Sequence, residues 1–313
     1  MGETRRILNA SLLADLRPAL EGWADPVAFG VGYDGAVYAA ARRTASEPLR
    51  EDGMFAKSQF GDPVDYLVVR SDGVDVRTMT VPSLSLVVSY VQPFQAGVLL
   101  AGARCHWSSK GPEQNALVVN WSGKIERAFT IGDGVQDVRV TGEGHVWVSY
   151  FDEGIFGNYG WSSPGPTAIG VTGLVGFDAE GKVRFTYDAT AAGTDQICDA
   201  YAMNVADDGA VWVYFYSEFP IVRILPRSYE RWKLGISGAR ALAVRHRRAL
   251  LFGSYEERGL GRVVTLKGEG AKVAAEVSIE DGRGGSFGDA VACGRGESLY
   301  FFKDRQAFVL ESW

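Results

Sequence analysis

Acidic side chains recur at one place in three successive repeats of an aromatic strand. Asp152 and Glu153 follow the run 146–150, Glu218 follows 211–216, and Glu256 with Glu257 follows 250–255. Carboxylates delivered to a common exit point can hold a divalent cation, calcium above all, through oxygen, or serve as acid and base once their surroundings separate their pKa values. They can equally form a solvated rim. A second set, Asp137, Asp199 and Asp289, stands at or just ahead of strand starts, as in Asp137-Val138-Arg139-Val140 and Asp289-Ala290-Val291-Ala292. Such carboxylates either point into a central channel as catalytic groups or fix the local loop by accepting nearby backbone N–H groups.

Other reactive groups are sparse. His145 and His246 fall in tight polar turns, which leaves His106 as the imidazole on the side of the long loops. One histidine cannot build a three-histidine metal site, and Cys105 and His106, as strand neighbours, point apart, so they do not make a nucleophile and base. The three cysteines, Cys105, Cys198 and Cys293, are odd in number and contain no C-x-x-C pair, which excludes a complete disulfide framework. The segment 152–172 carries Phe156, Asn158, Tyr159 and Trp161 among glycines, then Pro164 and Pro166. That mixture suits a binding loop, because aromatic rings offer contact area at small entropic cost. It would be a lid over a ligand or a plug filled by its own rings. With Trp107 and the acids Asp152, Glu153, Glu218 and Glu256, the loop residues Asn158, Tyr159 and Trp161 form the expected ligand-binding set; Asp137, Asp199, Asp289 and His106 are the catalytic candidates.

Two letter matches to catalytic motifs carry little. Gly30-x-Gly32-x-x-Gly35 leads into a strand through a hairpin, so no helix N-terminus would face a pyrophosphate. Gly284-Gly285-Ser286-Phe287-Gly288 is followed by a strand, whereas a nucleophile elbow needs a helix there.

These residues hang on a six-fold recurrence. Turns ending in glycine lead into aromatic strands at Asp34-Gly35-Ala36-Val37-Tyr38, Glu143-Gly144-His145-Val146-Trp147 and Asp208-Gly209-Ala210-Val211-Trp212, with weaker copies at 97–100, 248–251 and 296–300. Second hairpins turn at Asp72-Gly73, Ser122-Gly123, Glu180-Gly181, Arg227-Ser228 and Glu269-Gly270, flanked by alternating runs such as 66–70, 116–120, 174–178, 221–225 and 262–266. The last unit stops at 307–310, one strand short, while 5–11 offers a spare strand. The sequence therefore predicts an all-β, six-bladed β-propeller of four-stranded antiparallel blades, one domain over 1–313. Its ring would be closed by the N-terminal strand pairing in the last blade. A short helix is expected at 11–20. Long connections at 42–65, 105–114, 151–172, 189–199 and 280–289 define one elaborated face, where function should collect.

In strand order and blade count, carried by these Gly-x-Val-Trp/Tyr strands, the chain resembles the broad group of six-bladed propellers that includes the senescence-marker/gluconolactonase, strictosidine-synthase and NHL-repeat families. The segment Tyr150-Phe151-Asp152-Glu153-Gly154-Ile155-Phe156-Gly157 is similar to segments of bacterial propellers to which no activity attaches. The resemblance implies calcium-dependent lactonases as relatives in architecture; their Glu, Asn and Asp motifs have no residue-by-residue match here, so the resemblance does not choose a reaction.

A net charge of −6, with basic residues clustered only at Arg42-Arg43 and 245–248, argues against nucleic acid as a partner. No apolar run is long enough to span a membrane and no signal peptide stands at the start, so a cytoplasmic monomer without membrane attachment is expected. Two functions remain open: a binding propeller that holds a small molecule or a protein segment at its elaborated face, or a hydrolase, lyase or isomerase with a carboxylate-lined channel, with or without a divalent metal.

Overall fold

The computed structural model describes residues 5–44, 48–49, 55–226 and 228–313. Their strands form six four-stranded antiparallel blades, the complement of a six-bladed β-propeller, as the repeats predicted. The chain divides into two compact units, Leu16–Tyr187 and Met1–Asp15 with Asp188–Trp313.

The unit Leu16–Tyr187 holds three blades. Blade one is Pro26–Val31, Val37–Arg42, Gln59–Ser71 and Val76–Leu86; blade two is Tyr90–Phe94, Gly97–Ala101, Ala116–Asn120 and Ile125–Phe129; blade three is Val135–Val140, Val146–Tyr150, Leu174–Phe177 and Val183–Thr186. Alternation along these strands turns Tyr38, Tyr66, Val68, Leu100 and Leu117 into one apolar core. Asn115, 1% exposed, ties blade two to the segment entering blade three: its amide donates to the carbonyls of Gly102 and Gly132 at 3.0 and 2.8 Å and accepts from the Ile131 N–H at 3.0 Å.

The other unit carries blade four (Asp199–Val205, Val211–Tyr216, Ile221–Leu225, Ser228–Trp232), blade five (Ala241–Arg245, Arg248–Phe252, Leu260–Lys267, Gly270–Glu280) and blade six (Val291–Arg295, Ser298–Lys303, Gln306–Leu310 and Ser11–Asp15). Each first hairpin turns where the sequence placed it; Gly209, for example, sits at φ +78°, which a side chain would disfavour. Of the second turns, Arg227 lies outside the described residues. Asn204, fully buried, repeats the device of Asn115 across three blades: its side chain donates to the Leu242 and Gly296 carbonyls at 2.7 and 3.0 Å and accepts the Gly296 N–H at 2.8 Å. Beside it Gly294 lets the strands approach, since a Cβ there would lie 1.7 Å from the Leu242 oxygen. Asn204→Ala should remove three buried hydrogen bonds that join the blades, leaving Gly296 only its backbone bonds with the Val244 N–H and the Val205 carbonyl, and cost about 2–3 kcal/mol in denaturant unfolding; a loss under 1 kcal/mol would show that the blades hold their spacing without it.

The chain start corrects two expectations. The strand completing blade six is Ser11–Asp15, paired with Gln306–Leu310, in the stretch where a short helix was expected. The spare strand, Arg6–Asn9, instead lies parallel on Gly270–Glu280 as a fifth strand of blade five. Ser-Leu-Leu-Ala-Asp has no strong local preference, so an open sheet edge decides its conformation.

Candidate functional site

In Leu16–Tyr187 the connection 102–115, between the second and third strands of blade two, is pinned from several directions. The Cys105 N–H donates to Asp133 Oδ1 at 2.8 Å, the Trp161 indole donates to the Cys105 carbonyl at 2.8 Å, and the Trp107 N–H donates to the Tyr159 carbonyl at 2.8 Å. Trp161, Ala168 and Cys105 make a small apolar cluster, with Trp107 packed on it. The side chain held by this framework is Arg104.

Arg104 is 8% exposed. Its guanidinium lies 4.0 Å from the centroid of the Tyr159 ring and 5.4 Å from that of Phe151, an arrangement a planar cation favours. Nη2 is 3.0 Å from Asp133 Oδ2 and 2.5 Å from Glu153 Oε2. These contacts are ionic and not aligned as hydrogen bonds, and Nε has no hydrogen-bond partner among the described residues. Tyr159 is held in turn by its hydroxyl, which donates to the Ala56 carbonyl, and by the edge of Phe55. Arg104 forms one wall of a cleft of about 390 Å³ together with Arg42, Lys57, Ser89, Val27 and Val88. Arg42 is also nearly buried, its guanidinium 5.2 Å from the Phe60 ring, while Lys57 is exposed. The charged side chains lining the cleft are thus basic, and Asp133 and Glu153 are not among its lining residues.

Burial pushes the Asp133 carboxyl up from 3.8 to about 6, against the pull of Arg104 and the Cys105 N–H, and Glu153 adds to the rise. Folding therefore favours the protonated acid. The stability this gives is present below about pH 4 and is lost as pH rises through about 6, a difference of a few kcal/mol at most. An NMR titration should place the Asp133 carboxyl midpoint well above that of surface aspartates. Wild-type stability relative to Asp133→Asn should decline between pH 4 and 6; a flat difference would overturn this account.

The profile of the YxzG family matches residues 174–280. No curated protein matches the chain. Among solved structures it is similar to a chain of the mitotic checkpoint complex, at 9% identity and TM-score 0.50, over 100% of this chain and 95% of that one. It is also similar to a gluconolactonase from Xanthomonas campestris (8% identity, TM-score 0.45, 99% and 97% covered) and to the extracellular domain of a one-component system from B. thetaiotaomicron (12%, TM-score 0.47, 97% and 44%). The chain thus spans less than half the length of that last relative. Likenesses at such identity speak to fold alone.

The residues singled out in the sequence fall in both units. In Leu16–Tyr187, Asp152 and Glu153 open a short helix, Asp152–Phe156, and not an irregular loop; Asp152 is exposed and Glu153 faces Arg104. Tyr159 and Trp161 are 6% and 4% exposed, so they brace Arg104 from inside, with Asn158 accepting the Tyr159 N–H at 2.7 Å. Phe156 is the ring the loop leaves out, 65% exposed. Asp137 lies two residues inside the strand Val135–Val140, where it accepts from Arg139 Nε and Nη2 at 3.0 and 2.8 Å and from the Val138 N–H at 2.8 Å. His106 is exposed, its backbone N–H on Glu113.

In the other unit Asp199 opens its strand beside Tyr201, whose hydroxyl meets that of Tyr255. Glu218 and Glu256 are exposed. Asp289 does not begin a strand, which starts at Val291; it sits exposed in the preceding turn. Ser286 forms an isolated antiparallel bridge with Glu280, its Oγ accepting the Gly288 N–H at 3.2 Å, and no helix follows it. Cys105 is fully buried and burial drives its thiol well above the usual range, the reverse of a nucleophile. Among the described residues no three His, Cys, Asp or Glu side chains gather as metal ligands; Asp133, Glu153 and Asp137 meet guanidinium groups instead. These carboxylates do not assemble a donor set for calcium. Nor is any helix of the described residues long and apolar enough to cross a membrane.

Arg104, Asp133 and Lys57 were not visible in the residue pattern. A lone arginine inside the small-residue run Ala101-Gly102-Ala103-Arg104-Cys105 was the available signal, since a cation so placed must find charge or rings nearby.

Proposed function

We propose that the chain is a binding propeller and that its unit Leu16–Tyr187 takes a small ligand bearing a carboxylate or phosphate in the Arg104 cleft. The supporting observation is the guanidinium of Arg104, pre-oriented on Tyr159 and nine-tenths buried, with an Nε that has no hydrogen-bond partner among the described residues, in a side chain that lines the cleft together with Arg42 and Lys57. An arginine held in place before binding loses little entropy on taking up an oxyanion, and charge-assisted hydrogen bonds are the stronger kind. We take the protein to act in the cytoplasm as a monomer. Calorimetric titration with inorganic phosphate, citrate and a glutamate-rich peptide tests the reading. Saturable, salt-sensitive binding of a small anion that disappears in Arg104→Gln supports it; no heat from any of the three, or unchanged binding in the variant, overturns it.

A further inference from the structure

At one end of blade four, aromatic rings reach the surface beside a carboxylate. Asp199 and Tyr216 are register partners on the first and second strands, so their side chains share a face, with Cβ atoms about 5 Å apart. A bulge at 200–202 turns Tyr201 onto the same face, where its ring meets that of Tyr214 at 6.5 Å. Phe219 sits at the middle of the group. Tyr214 is stacked on it, centroids 5.3 Å apart, and Tyr201, Tyr216 and Tyr255 stand at 83°, 62° and 78° to it, with centroids at 5.2, 5.7 and 5.9 Å. Tyr214 and Phe219 are buried, whereas Tyr216 is 48% and Tyr255 60% exposed. Tyr255 is nonetheless held: its ring lies against the backbone of Gly238, where a Cβ would be 2.6 Å from Cδ1, and edge-on to Tyr201 at 5.9 Å.

Half-exposed rings beside a carboxylate attract a cation, because the ring faces carry negative potential. Asp199 sets the sign of the charge here. Glu256 and Arg258, both exposed on the loop of Tyr255, offset each other, while Glu257 is paired with Arg5 and Glu276 with Arg262. The polar atoms of the group are already engaged: the Tyr201 hydroxyl meets the Tyr255 hydroxyl and the Asp199 carboxylate. A primary ammonium would have to break into that chain to satisfy its N–H groups. A quaternary ammonium has none, and presents methyl groups to the rings. Neighbouring ring centroids are 5.2–6.5 Å apart, a patch on the scale of one such head group and not of a polypeptide.

We infer that Tyr201, Tyr216, Tyr255 and Asp199 bind a small molecule bearing a quaternary ammonium group, the cation lying against the exposed rings and the carboxylate balancing its charge. The site is built from blade four and the loop of blade five, and does not rest on the anion cleft at Arg104.

Saturation-transfer NMR on the trimethyl protons of choline gives a direct readout. Choline should receive saturable transfer from the wild-type protein, and tetramethylammonium should displace it. Ethanolamine and the uncharged tert-butyl analogue of choline should each need about tenfold more than tetramethylammonium to do so. Tyr216→Ala and Tyr255→Ala, changes at exposed positions, should each weaken binding about threefold to tenfold, and Asp199→Asn about as much; Tyr255→Phe, which keeps the ring, should stay within about twofold of wild type. Phe156→Ala, an exposed ring in the other unit, should change nothing. No transfer to choline, displacement by the tert-butyl analogue as effective as by tetramethylammonium, or unchanged binding in the double variant Tyr216→Ala, Tyr255→Ala would overturn the inference. So would a trimethyl-lysine peptide that binds where choline does not, since the occupant would then be a protein.

Discussion

Deleting residues 1–15 should abolish a stable monomeric fold. Ser11–Asp15 supplies the fourth strand of blade six, in register Ser11↔Val309 and Asp15↔Gln306, and Arg6–Asn9 supplies the fifth strand of blade five, Arg6↔Val277 to Asn9↔Glu280. Between them the Ala10 N–H donates to the Glu280 carbonyl at 2.8 Å. Leu8, Ala10 and Ala14 are 5%, 3% and 5% exposed, and Leu8 and Ala10 belong to the core of Phe252, Phe287, Phe301, Phe308 and Trp313. Leu8 alone is worth about 2–3 kcal/mol of burial, and each ladder bond adds about 1 kcal/mol. The sum passes 5 kcal/mol, the lower bound of a whole domain's stability. Two open sheet edges left behind would also invite pairing between molecules. The shortened chain should lose its cooperative thermal transition or run as aggregate in size-exclusion chromatography. A soluble monomer melting within a few degrees of the full chain would refute the prediction.

Arg104→Gln should act on stability and binding at once, and pH should separate the two effects. Removing the guanidinium leaves Asp133, whose side chain is 1% exposed, as a buried carboxylate facing Glu153. Breaking a buried pair from one side costs about 3–5 kcal/mol. Since burial already lifts the Asp133 carboxyl to about 6, and the variant lacks the cation that holds it down, Asp133 becomes protonated in the variant as pH falls and the penalty shrinks. The loss in unfolding free energy should therefore be large at pH 7.5 and much smaller at pH 5. Adding Asp133→Asn to Arg104→Gln should restore stability at pH 7.5 without restoring anion binding, because the double variant has no buried charge but also no guanidinium. A stability loss independent of pH would mean that Arg104 acts through packing on Tyr159 and Phe151 alone.

The blades were legible in the sequence because their signals are local. A glycine at positive φ and a strand of period two lie within a dozen residues of each other, and Asp208-Gly209-Ala210-Val211-Trp212 contains both. The chain start was not legible in the same way: whether Ser11–Asp15 becomes helix or strand is settled by an edge about 300 residues later in the chain. The candidate site was legible only in outline. Loop 151–172 reads in the sequence as a lid over a ligand or a plug filled by its own rings, and its tyrosine and tryptophan are buried supports for a segment about 55 positions earlier. Aromatic residues in a glycine-rich loop serve either purpose, and composition does not distinguish a ring that meets a ligand from one that stacks under an arginine. Glu153 stands there among acids that could hold a ligand, a metal or a proton or form a solvated rim, since the cation that it meets comes from another blade.

The two strands at the chain start also set a schedule for biosynthesis. Leu16–Tyr187 contains all the strands of its own three blades, so it can complete them while later residues are still being translated. Residues 6–15 leave the ribosome well before the segments they pair with, 277–280 and 306–309. The nascent chain must carry an unpaired apolar strand throughout elongation, and a contact of such sequence separation is slow to form. Fusions that delay or crowd the C-terminus should therefore reduce soluble yield more than equal fusions placed in an exposed turn of the first three blades.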